Sequence, residues 1–320
     1  MSRPARQAAA SAQNGRVHQH ILDARQFDRP WLESVLFPNA LELQHRPADR
    51  LAKPLLGKRL FYLFYEASTR TRVSFELAAS LLGATVHGID SHEHRADEER
   101  LEDRIRVLSE YPYDFVLLRY YEEGGASRAA AVSHVPIINA GDGPGQHPTQ
   151  ALLDVYTLWR EFGRLDGLRV ALVGDLSYQR STNSLAYLLS QYRDLAVYLV
   201  SPRLLSMRDD VRQHLAGSGA RVEEVRDLRT IADQVDVAYV TRAQTPRLEH
   251  AQRFEGDTGW YTVEREVLAR LPAHARVLHP LPRGPELPPE VDDDPRVVCF
   301  KQAGNGLYVR MALLQLLGAR

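Results

Sequence analysis

Ser68, Thr69, Arg70, Thr71 and Arg72 follow one another directly, between an apolar run that reads as a strand and another that reads as a helix. Hydroxyls and guanidiniums at that density have one evident chemical use. A helix start exposes backbone N–H groups without intrahelical partners and carries a partial positive charge. An anion placed there meets a prepared site. The guanidinium forks of Arg70 and Arg72 suit phosphate geometry. The plainer reading is that Ser68 or Thr69 caps the helix and the arginines are solvated. Taken alone, the segment favours the plainer reading.

Four further segments shift that balance. "LLRYYEEGGAS" places Arg119 at the C-terminal end of a strand, where ligands bind in open α/β sheets. "NAGDGPGQHPTQALLD" puts His147 and Gln150 at the start of a helix. "VGDLSYQRSTNSL" puts Arg180 just after a strand, and "VTRAQ" does the same for Arg242 and Gln244. Arginines and a histidine gathered at strand exits exceed what a solvated face needs. Other polar residues read as structural. Asp142 and Asp154 fix loop and helix geometry, and Cys299 in "RVVCFKQ" is a packed strand residue. Gly174 before Asp175 lacks the further glycines of a dinucleotide loop. No His or Cys spacing suggests a metal, and no cofactor is expected.

The elements that must hold these residues alternate along the chain. "RLFYLFY", "YDFVLLRY", "VPIINA", "RVALVGD", "LAVYLVS", "VDVAYVT" and "RVLHPL" are the clearest strands. Several are nearly continuous apolar runs, as in sheets covered on both faces. Amphipathic stretches such as "SFELAASLLG", "QALLDVYTLWREFG" and "NSLAYLLSQYR" lie between them. Such alternation predicts an α/β fold of two doubly wound domains, each around a central parallel sheet, joined by interdomain helices. The Gly- and Pro-rich stretch ending at Gln150 marks a boundary. It predicts domains over 20–145 and 146–302, with the last helix, 303–320, packing back on the first.

Bulk properties narrow the function classes. The 320 residues suffice for two domains with a sizeable core. A net charge of −1 gives no reason to expect nucleic acid or an anionic membrane as partner. No apolar run is long enough to span a bilayer. The one cysteine excludes an internal disulfide and points to a reducing compartment, read here as the cytoplasm. Residues 1–19 lack the apolar centre of a secretory signal. They read as a frayed, disordered tail, with an organellar transit peptide as the second reading.

Together the segments resemble the aspartate and ornithine carbamoyltransferases. "STRTR" looks like that family's carbamoyl phosphate loop, "HPTQ" its carbamoyl-recognition turn, and "HPLPR" its hinge segment. "QAGNGLYVRMALL" resembles its C-terminal helix entry. Thr149 within "HPTQ", and "TRAQ", look like the aspartate branch, which belongs to pyrimidine biosynthesis. The resemblance implies that Ser68, Thr69, Arg70 and Thr71 hold carbamoyl phosphate. Thr71, Arg119 and His147 would donate to its carbonyl oxygen. Gln150 and the backbone carbonyls of Pro280 and Leu281 would meet the carbamoyl nitrogen. Arg180, Arg242 and Gln244 would bind the amino acid. Two separate guanidiniums suit the two carboxylates of L-aspartate, whereas ornithine has one. The resemblance further implies a homotrimer with shared active sites.

One stretch departs from the family. Its members carry a mobile loop with a serine and then Lys-Gly-Glu, shortly before a Leu-x-Asp. Here Leu101 and Asp103 keep the frame, but Asp97 falls where the lysine belongs, Glu98 replaces the glycine and Glu93 the serine. From Asp90 to Arg100 the acids Asp90, Glu93, Asp97, Glu98 and Glu99 face only Arg95 and Arg100. A carboxylate beside a phosphate costs about 4 kcal/mol at 4 Å and an effective dielectric of ~20. The plainer reading is a solvated acidic helix start. Three expectations follow: transfer to aspartate, with an arginine standing in for the lysine; transfer to a different amine; or a non-catalytic carbamoyltransferase-like scaffold.

Overall fold

Two parallel sheets carry the residues singled out above. The computed structural model describes residues 19–90, 99–242 and 260–319. The chain divides into two units, Met1–Thr149 with Gly306–Arg320, and Gln150–Asn305. The division falls at Thr149, so His147 belongs to the first unit and Gln150 to the second. The expected tail, apart from Gln19, lies outside the described residues, as do Gln244 and residues 91–98 of the acidic stretch.

The first sheet contains β1 (Arg59–Phe64), β2 (Thr85–Asp90), β3 (Phe115–Tyr120) and β4 (Ile137–Asp142), in the order β2-β1-β3-β4, all parallel. Helix α1 (Thr69–Leu81) leads from β1 to β2. Helices α2 (Leu101–Glu110) and α3 (Gly125–Val132) flank β3 in sequence. In β3 every residue except Arg119 is buried, and β4 is buried throughout. Leu63, Ile105, Leu118 and Ile137 share one core, and a fully buried side chain of this kind contributes roughly 1.5–3 kcal/mol. Ile21 bridges to Ile138 and covers the outer edge of β4.

Helix α1 is stopped at its C-terminal end and held along one face. Gly83 follows it at φ +94°, a left-handed position that suits glycine, and ends the helix. Phe75, Ala78 and Ala79 are fully buried. Arg310, itself buried, donates to the Ser74 hydroxyl at 2.6 Å and lies 5.3 Å from the Phe75 ring centroid. Arg310 belongs to α6 (Cys299–Gly318), whose residues from Gly306 onward group with the first unit.

The second sheet contains β5 (Arg169–Val173), β6 (Ala196–Val200), β7 (Arg221–Val225), β8 (Val237–Val240) and β9 (Arg276–Leu278), in the order β7-β6-β5-β8-β9, again all parallel. Helix α4 (Pro148–Phe162) precedes it, and α5 (Arg180–Leu189) leads from β5 towards β6. Ala171, Val173, Val200, Val240 and Val277 lie in its core. Among the described residues no helix is long and apolar enough to cross a membrane.

Two expectations need correction. Cys299 is fully buried as expected but opens helix α6 instead of lying in a strand. Its neighbours Val297 and Val298 are β-branched and suggested a strand; the helix begins immediately after them. That helix therefore starts at Cys299, ahead of the expected residue 303. Strands β2 and β7 also join the seven clearest apolar runs. Each is one of the two outer strands of its sheet and exposed or half-buried along most of its length, so neither forms an apolar run.

Candidate functional site

In an open parallel sheet, ligands bind beyond the C-terminal ends of strands where the winding order reverses. In the first unit that point lies between β1 and β3, since β2 and β4 lie to either side of the pair. Phe64 on β1 is the register partner of Arg119 on β3. The Tyr65 N–H donates to the Arg119 carbonyl at 2.9 Å, so the chain leaves β1 beside Arg119 and reaches Ser68 three residues later. Arg119 donates to the Ala140 carbonyl at 3.1 Å, and its Nε lies 3.6 Å from a Glu66 oxygen. Glu66, which sequence reasoning did not single out, thus orients the guanidinium.

Ser68 is the N-cap residue of α1, but its side chain makes no capping bond. The expectation of a side-chain cap fails there, and the first-turn N–H groups are not closed off by Ser68. Thr69 and Arg70 are exposed and Thr71 is buried. Desolvation by the surrounding protein draws the Arg70 pKa below its ordinary value. Its guanidinium stays charged throughout the ordinary pH range.

Arg72 does not share this role. Its Nη1 donates to Asp90, its Nε lies 3.7 Å from Glu76, and its guanidinium stands 5.6 Å from the Tyr62 ring centroid. Residues two apart on a helix face different directions. Arg70 and Arg72 therefore do not form the pair of phosphate forks that their proximity in sequence suggested. The same contact changes the acidic stretch, because Asp90 is neutralised by Arg72 and Glu99 by Arg104 at 2.9 Å. Glu93, Asp97 and Glu98 lie outside the described residues.

The turn before α4 is built by Asp142. Its carboxylate accepts the Gln146 N–H at 2.8 Å and the Gly124 N–H at 3.1 Å, a structural role matching the one read from sequence. His147 follows, buried, with Nδ1 3.5 Å from the Thr149 hydroxyl. Pro148 then occupies the first position of α4, where its missing N–H costs nothing.

The second unit repeats the arrangement. The reversal lies between β5 and β8, and the chain leaves them towards Arg180 and Arg242 respectively. Arg180 opens α5, half-buried, and Arg242 is exposed. The side-chain amide of Gln179 donates to the Arg242 carbonyl at 2.7 Å and ties the two strand exits together. Gly174 has the role of allowing close approach. It sits at φ +118°, and an added Cβ would lie 2.3 Å from the Thr241 carbonyl oxygen. Asp175 folds back on its own turn, accepting from the Ser177 N–H and hydroxyl and the Tyr178 N–H.

Gln150 and the turn at Pro280 and Leu281 complete this unit's set. Gln150 is buried and donates to Asp154 at 2.8 Å. His279 shapes the turn: its Nδ1 accepts the Leu281 N–H at 2.8 Å, and its Nε2 lies 3.0 Å from Glu286, both side chains being buried. Burial opposes ionisation of Glu286, but hydrogen bonds from His279 and the Gly284 N–H hold its pKa below the usual carboxylate range.

Family models match almost the whole described chain. The aspartate/ornithine carbamoyltransferase carbamoyl-P binding domain matches residues 19–160, and the Asp/Orn binding domain of the same family matches residues 166–317. The chain belongs to the aspartate/ornithine carbamoyltransferase family. A pea relative named aspartate carbamoyltransferase 1, chloroplastic, is 47% identical over 302 residues, covering 93% of this chain and 78% of the relative. The catalytic subunit of M. jannaschii aspartate transcarbamoylase is 40% identical with a TM-score of 0.85, over 94% of this chain and 98% of that one. Aspartate transcarbamoylase from Trypanosoma cruzi, solved with carbamoyl phosphate and aspartate, is 34% identical with a TM-score of 0.86, over 92% and 95%. The carbamoyltransferase fold thus accounts for both parallel sheets and for their order along the chain.

Proposed function

We propose that the protein transfers the carbamoyl group of carbamoyl phosphate to the amino group of L-aspartate and releases phosphate. The observation that carries this reading is the pair Arg180 and Arg242, brought to the two strand exits that flank the reversal of the second sheet. Two guanidiniums match the two carboxylates of aspartate, and the aspartate carbamoyltransferase names of the relatives support the same acceptor.

Carbamoyl phosphate is assigned to Ser68, Thr69, Arg70 and Thr71, where the open first turn of α1 and a charged fork meet its phosphate. The aspartate amino nitrogen attacks the carbonyl carbon. Negative charge then grows on the carbonyl oxygen, where Thr71, Arg119 and His147 donate. One such donor is worth about 3 kcal/mol. The carbon–oxygen bond to phosphate breaks as the intermediate collapses, and the departing phosphate takes the amine proton. The step requires no protein nucleophile. Gln150 and the carbonyls of Pro280 and Leu281 accept from the carbamoyl nitrogen. A homotrimer with shared active sites and a place in pyrimidine biosynthesis belong to this reading through the family resemblance, and a reducing compartment through the single cysteine.

The test is turnover of carbamoyl phosphate with aspartate, with ornithine and with a panel of other amines, followed by phosphate release and product mass. Turnover with aspartate is expected. Turnover only with another amine would move the acceptor, as the acidic stretch first suggested. Absence of carbamoyl phosphate binding by calorimetry would leave a scaffold role.

A further inference from the structure

Asp154 is fully buried, one helical turn after Gln150. Three side-chain donors converge on it: Gln150 Nε2 at 2.8 Å, Gln302 Nε2 at 2.6 Å and the Tyr239 hydroxyl at 2.8 Å. The orientation of Gln302 is set independently, because its Oε1 accepts the His279 N–H at 2.9 Å and its nitrogen must therefore face Asp154. A carboxylate offers no donor, so the Gln150 atom facing it is Nε2, and Oε1 remains as the acceptor. Beyond Gln302, the His279 ring accepts the Leu281 N–H on Nδ1, which places the ring proton on Nε2, donating to Glu286. Hydrogen bonds thus link Gln150, Asp154, Gln302 and the His279 backbone, and the His279 ring carries the link on to the Leu281 N–H.

We propose that Asp154 is a positioning residue that presents Gln150 Oε1 and, through Gln302 and His279, the Pro280 and Leu281 carbonyls as acceptors for the NH2 of the carbamoyl donor. This rests on carbamoyl phosphate being the substrate. Its consequence is selectivity for a carbamoyl donor over an acyl donor of the same size. Acetyl phosphate carries a methyl group where carbamoyl phosphate carries NH2, and would leave the desolvated acceptors unpaired. Sites built to bond an N–H reject analogues that lack it far more strongly than sites that sense size alone.

The experiment compares kcat/KM for carbamoyl phosphate and acetyl phosphate, with aspartate as acceptor, in the wild type, Asp154→Asn and Gln302→Met. Asparagine brings a donor into a cluster of donors and forces one amide to turn. Methionine cuts the link to the 279–281 turn and leaves Asp154 in place. Each variant is expected to lose about tenfold to a hundredfold with carbamoyl phosphate while changing acetyl phosphate turnover much less, so the selectivity ratio falls about tenfold or more. A folded variant of either kind that loses both activities equally, or keeps the wild-type ratio, overturns the positioning role alone. If Asp154→Asn does not fold, the Gln302→Met ratio decides. No wild-type turnover of carbamoyl phosphate overturns both this role and the proposed function.

Discussion

Arg72 donates to Asp90, while Arg70, two residues earlier, is an exposed residue in the first turn of the same helix, its guanidinium partly desolvated by the surrounding protein. One arginine fastens the end of β2, and the other is the one assigned above to the phosphate of carbamoyl phosphate. Arg70→Ala is expected to weaken carbamoyl phosphate binding about tenfold to a hundredfold, the size of a charge-assisted hydrogen bond. Arg72→Ala is expected to change binding less than threefold and to cost about 0.2–1 kcal/mol of stability, since its ion pair is partly solvated. Calorimetric titration and thermal melts of both variants check this, and equal binding losses would refute the division of labour.

Arg119 is held by the Ala140 carbonyl and Glu66, so its guanidinium is oriented before any ligand binds. Arg119→Ala is expected to lower kcat by about 10²–10³. Arg119→Lys is expected to recover little of that, because an ammonium retains the charge without the fork. Steady-state kinetics on folded variants provide the measurement; near-wild-type kcat in the alanine variant would remove Arg119 from the reaction.

On the amino acid side, Arg180→Ala and Arg242→Ala are each expected to raise KM for aspartate about tenfold to a hundredfold. Carbamoyl phosphate binding by calorimetry should be unaffected. A change confined to carbamoyl phosphate would reassign these residues.

The depressed pKa of Glu286 makes a statement about acid stability. Its folded value lies below the unfolded one of about 4.3, so its contribution is complete above that pH and is lost as pH falls through the folded value. Glu161 is depressed likewise: burial opposes ionisation, and hydrogen bonds from Arg276 and Lys301 outweigh it. Urea midpoints measured from pH 7 down to pH 3 should be level at first and then fall below about pH 4.3. Glu286→Gln, which can still accept from His279, should flatten part of that fall. A parallel fall in wild type and variant would show that Glu286 contributes nothing there.

Sequence alone determined the α/β class, seven of the nine described strands and the residues placed at strand exits. Buried strands must be apolar along their whole length, and helices must show one apolar face, so both leave a visible period. Strands β2 and β7 left none, because these two outer strands, unlike the outer strands β4 and β9, are exposed or half-buried along most of their length and carry polar residues there. The family resemblance was equally legible, because "STRTR", "HPTQ" and "HPLPR" are short contiguous segments. Only the tertiary structure decided which charges are already spent. Arg72 sits two residues from Arg70 in sequence yet belongs to Asp90, Glu66 turns out to orient Arg119 across two strands, and Gln302 reaches Asp154 from 148 positions away. Such pairings depend on strand register and helix direction, which no local pattern encodes. Hydrogen bonds act over about 3 Å in space and are indifferent to distance along the chain.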